Sequence, residues 1–230
     1  MQTQNHIDGT IREIGEFTLT VIWLGVAYGI AMAGGYRALS DMASLKVIIL
    51  QSLIIVFFAF VFHELAHRFV ARRYGFHAVY RTWMPGLILA LVVSMTGWIF
   101  AAPGAVYITG TDTAATREKL GKSALAGPVM NMILAALFTG LTFLAVPVLR
   151  WYIESTTASF AQVEPVLNFI FGVLLAGVQI NAWLALFNLI PFGQFDGLKV
   201  FSWNKKVWGI ALAASVALYG AWWWVQGRLF

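Results

Sequence analysis

Long apolar runs alternate with short polar turns along this chain. Residues 17–36, 47–71, 123–148, 166–190 and 207–225 are each long enough, at about 20 residues per crossing, to span a bilayer as a helix. A sixth apolar stretch, 83–102, is different: Pro85, Gly86 and Gly97 interrupt it, and Pro103-Gly104 ends it. Basic residues lie on both sides of it, Arg68, Arg72, Arg73 and Arg81 before and Arg117, Lys119 and Lys122 after. If basic flanks face the cytoplasm, both ends of 83–102 lie on one side, which a re-entrant hairpin satisfies. An ordinary helical crossing is the competing reading. The alternation in 105–109 predicts a short strand, with 76–82 as its partner. Non-helical backbone at membrane depth must be covered by protein or line a water-filled cavity, so the hairpin is expected against the helices that carry the site. Gly25, Gly29, Gly34 and Gly35 read as small residues that admit a neighbouring helix. The expected fold is an all-α polytopic membrane protein with five to six transmembrane segments and a small membrane-associated β-hairpin or re-entrant element. It is expected to form a single domain over 1–230, with its core at about 45–199 and flanking spans at 17–36 and 207–225.

Composition sharpens this picture. The 230 residues are 60% hydrophobic and only 11% charged, against about 25% charged in soluble domains. The lipid bilayer is therefore the expected surrounding, and five spans leave no room for a second folded domain. The net charge of +5 comes from Lys and Arg scattered among short loops, a topology signal with no patch for nucleic acid. With no cysteine, a transition metal has to be held by histidine and carboxylate.

The residues for such a site are present. His63-Glu64-Leu65-Ala66-His67 closes the second run. Four residues apart on a helix, the two histidines sit roughly 40° from each other around the axis, close enough to share one ion, with Glu64 beside them to act on a metal-bound water. A third ligand is needed. Charge counting puts Asp196 at the same depth and on the same cytoplasmic side, and an aspartate at membrane level calls for a cation or a partner. Pro191, Gly193 and Gly197 break the helix there and turn Asp196 inward. The freed carbonyls need partners, for which the amide of Asn188 is a candidate. A glutamate as third ligand is disfavoured, because no Glu follows Glu164. Asn181 and Gln179 either line the site or bond between helices, His77 reads as a strand residue, and Trp222-Trp223-Trp224 reads as an interfacial anchor. A membrane metal-ion transporter, or a metal-binding membrane protein without protease activity, would use the same three ligands.

The combination resembles a known family. H-E-x-x-H on one span, Gly127-Pro128-Val129-Met130-Asn131 opening a later one, and Asn188-Leu189-Ile190-Pro191 with Asp196-Gly197 closing another are similar to the site-2 protease family of intramembrane zinc metalloproteases, over about 45–199. The resemblance implies Zn2+ held by His63, His67 and Asp196, with Glu64 as catalytic base. It also implies a catalytic part for Asn188, holding substrate or the developing oxyanion, and a structural part for Asn131. Phe195 stands where leucine is commoner in that family, and no PDZ-like insert interrupts the chain. The implied substrate is a transmembrane protein or peptide, cut in the cell membrane at a site towards the cytoplasm. The oligomeric state stays open.

Overall fold

The computed structural model describes residues 2–109, 114–155 and 159–229. Among them, five helices are long and apolar enough to cross a membrane, and a two-stranded antiparallel sheet lies between the second and third. The polytopic helical fold with a small hairpin is borne out, with shifted boundaries.

The first crossing belongs to α1 (Gln2–Met32). It stops four residues before the expected limit because Gly34 and Gly35 take positive φ values of 96° and 78°, a region that favours glycine. These two glycines therefore end the helix, and of the two Gly35 still permits a close approach by another segment. Gly35 lies against the Met95 carbonyl, and the Tyr36 N–H donates to that oxygen at 2.9 Å. Gly25 and Gly29 keep the expected role, facing Leu53 and Ile49 of α2 (Met42–Val56) so closely that a Cβ would meet them within 3 Å.

The second rod continues from α2 through a π turn, Phe57–Val61, into α3 (Phe62–Arg73). A π turn winds an extra residue and so re-aims the helix beyond it. It ends two residues before His63, and the face that follows buries His63, Glu64 and His67.

Next comes the re-entrant element. β1 (His77–Thr82) leads into α4 (Met84–Ser94), and the chain returns as β2 (Gly104–Thr109). The strands pair from His77 with Thr109 to Thr82 with Gly104. Eleven helical residues rise only about 17 Å, and strand pairing brings the chain back beside its starting point. The hairpin reading of 83–102 therefore holds over the single crossing. The sheet is bolted to α1: Glu13 accepts the Tyr80 N–H and Glu16 accepts the Thr82 N–H, both at 2.9 Å. Arg68 pairs with Glu13 at 2.7 Å, and Phe17 stacks on Tyr80 with ring centroids 4.3 Å apart.

The remaining elements are α5 (Ala114–Ser155), α6 (Phe160–Asn188), α7 (Asp196–Trp203) and α8 (Lys205–Leu229). α5 begins before the expected 123 and carries Pro128 inside it, so the Gly-Pro motif sits within the helix rather than opening it. Trp222 is not an interfacial anchor but packs with Phe138 and Val178, while Trp223 and Trp224 stay exposed.

Candidate metal centre

Three elements converge on one point. α3 supplies His63 and His67; the break after α6 delivers Asp196 as the first residue of α7; α5 crosses over the imidazoles. The two Nε2 atoms are 3.0 Å apart, and Asp196 Oδ2 lies 3.0 Å from that of His67 and 3.4 Å from that of His63. A tetrahedral ion with ligand bonds of about 2.0–2.1 Å spaces its ligands about 3.3 Å apart. The triangle thus fits zinc, and all three side chains are buried.

Both histidines are prepared for that role. The Ser123 carbonyl can only accept, so His67 donates to it from Nδ1–H at 2.7 Å and turns the Nε2 lone pair to the metal point. His63 donates in the same way to Asn131 Oδ1 at 2.5 Å, since the Asn131 amide nitrogen is committed to Ala59 and Asn181. Asp196 turns Oδ2 to both imidazoles, where it would complete the ligand set. Lys199 stands 3.7 Å from its other oxygen.

Glu64 is buried beside the triangle and accepts the β2 amide N–H of Val106 at 3.2 Å. These residues, Asn188 and the loop before β2 line a cavity of about 770 Å3, whose walls include Tyr28 of α1 and Trp183 of α6. Asn188 does not serve the carbonyls freed near Pro191. Its amide donates back to Leu184 at 3.0 Å, and Trp208 of α8 donates to the Leu189 carbonyl at 2.8 Å instead. His77 is an exposed residue at the start of β1, as expected.

Sequence reasoning missed two further contributors. A Cβ on Gly127 would lie 2.3 Å from His67 Nε2 and 2.6 Å from His63 Cε1, so only glycine lets α5 pass this close. The Ser123 carbonyl left no trace a motif could carry, because every residue has one.

Comparison with known proteins agrees with this chemistry. The profile of peptidase family M50 matches residues 51–209. A protein of Methanocaldococcus jannaschii, named as a zinc metalloprotease, is 36% identical over 200 residues, covering 86% of this chain and 88% of its own length. No solved structure matches the chain.

Proposed function

We propose that this chain, which belongs to peptidase family M50, is an intramembrane endopeptidase that cleaves transmembrane segments of membrane-anchored proteins. Membership makes it a membrane zinc metalloprotease; the proposal adds the substrate and the depth of the cut. One observation carries it: the metal-ligand triangle, Glu64 and the outer edge of β2, which carries no third strand among the described residues, share a cavity walled by helices long enough to cross a bilayer.

In this reading His63, His67 and Asp196 hold the zinc. Zinc bound there supplies a Lewis acid that lowers the pKa of a water and polarises a peptide carbonyl. Glu64 takes the proton of the attacking water and passes it to the leaving nitrogen. Asn188 presents its side chain to the carbonyl oxygen as charge develops. A helical peptide bond is shielded by its own turn, so the substrate enters unwound and adds as a strand to the edge of β2. Such a strand competes with Glu64 for the Val106 N–H and leaves the carboxylate for water. The run of Arg68, Arg72 and Arg73 at the end of this span supports an active site towards the cytoplasm, in the cell membrane.

The test uses purified protein with zinc on single-span substrates, beside Glu64→Gln. Turnover is expected to fall by about 10³-fold or more with zinc retained. Equal cleavage by both proteins would end the proposal.

A further inference from the structure

Asn181 lies about two turns before the C-terminal end of α6, fully buried, with no contact to the metal ligands among its hydrogen bonds. In a bundle of apolar helices, a buried amide is ordinarily explained as glue between helices. Its bonds here have a direction, however, and the direction reaches the metal point.

The chain of hydrogen bonds starts on the backbone of α6. The Gly177 carbonyl can only accept, so Asn181 must turn its NH2 group towards it, at 2.8 Å. That turns Asn181 Oδ1 towards α5, where it accepts from Asn131 Nδ2 at 2.8 Å. The second proton of that nitrogen goes to the Ala59 carbonyl, inside the π turn, also at 2.8 Å. Asn131 has no donor left, and only its Oδ1 faces His63. His63 must then carry its proton on Nδ1 and offer Nε2 as a lone pair. Every donor and acceptor on both amides that this route uses is satisfied, so neither amide flips without losing bonds.

We propose that Asn181 is a positioning residue for the metal centre: through Asn131 it fixes the tautomer and ring orientation of His63. Its polarity is imposed by a main-chain carbonyl of the same helix that leads to Asp196, so one element both delivers the third ligand and orients the first. The inference rests on His63 being a metal ligand. Outer partners of this kind alter metal affinity by about 10–100-fold when removed.

The experiment measures zinc affinity by chelator competition on the full-length protein in detergent, together with 15N-histidine NMR of the zinc-free protein. Four histidines in the chain keep that spectrum assignable. Asn181→Leu is expected to weaken zinc binding at least about tenfold and to replace the single Nδ1–H form of His63 with a mixture of tautomers. Asn181→Asp, which still accepts from Asn131, is expected to keep the Nδ1–H form and to recover most of the affinity. A role as glue alone would lower thermal stability in Asn181→Leu and leave both readings unmoved, which would overturn the proposal. If Asn181→Leu does not fold, Asn181→Asp decides: a mixed tautomer there would overturn it equally. His63→Ala is run alongside. Undiminished zinc affinity in that variant would refute the ligand assignment itself, whereas loss in His63→Ala without loss in Asn181→Leu would refute only the inference.

Discussion

The two outer edges of the small sheet are treated in opposite ways. Along β1 the groups that point away from β2 are met by charged side chains: Glu13 and Glu16 of α1 take the N–H groups of Tyr80 and Thr82, and Arg72 of α3 donates to the Ala78 carbonyl at 2.9 Å. Along β2, among the described residues, the matching edge has one such partner, Glu64 on the Val106 N–H. An open edge is a liability in any protein and a larger one at membrane depth, where an unpaired backbone group costs several kcal/mol. Residues able to close an edge are plainly available, since α1 closes the first. The edge left open runs along the cavity that holds the metal point, with Val106 and Ile108 on its wall. One edge is architecture; in the proposed function its opposite number receives the substrate strand.

Breaking the closed edge should have the larger effect on the protein itself. Glu13→Ala removes the partner of both Arg68 and the Tyr80 N–H, leaving a partly buried cation and a buried donor unmatched. A loss of about 3–5 kcal/mol in unfolding free energy is expected, measured by denaturation in detergent. A loss below about 1 kcal/mol would mean that α1 does not bolt the sheet.

Proline substitutions in β2 sharpen the contrast. Antiparallel strands alternate between residues bonded to their partner and residues bonded outward. Tyr80 and Val106 face each other as an outward pair, so Ile108 also points its N–H to the open edge, while Ala105 points its own at β1. Ala105→Pro should therefore lower the melting temperature by breaking the ladder. Ile108→Pro should leave melting nearly unchanged yet reduce cleavage of a membrane substrate about tenfold, the worth of one hydrogen bond of about 1.4 kcal/mol. Undiminished cleavage by Ile108→Pro would show that substrate does not add to this edge.

Much of the fold and of the metal centre is legible in the amino-acid sequence. The five crossings follow from length and apolarity, and the pairing of 76–82 with 105–109 follows from alternation flanked by Gly and Pro. The depth of Asp196 follows from counting charges. Other features rest on distances between segments far apart in sequence. Gly34 and Gly35 look alike as small residues because a glycine in an apolar run carries no mark of its φ; in the folded chain both take positive φ and end the helix, with Gly35 held against Met95. Asn188 is the natural candidate for the freed carbonyls because it lies near them in sequence, whereas Trp208, nineteen residues beyond Leu189, reaches one instead.

The amino-acid sequence by itself determined the chemistry: which side chains can hold zinc, which can move a proton, and which five runs are long and apolar enough to cross a membrane. These depend on residue type and on spacing within one helix, where geometry is set by 3.6 residues per turn. The tertiary structure alone decided which way each ring and amide faces. Hydrogen-bond direction is passed between α6, α5 and α3 through Asn181, Asn131 and His63, and no local pattern records a direction that begins on a backbone carbonyl in another helix.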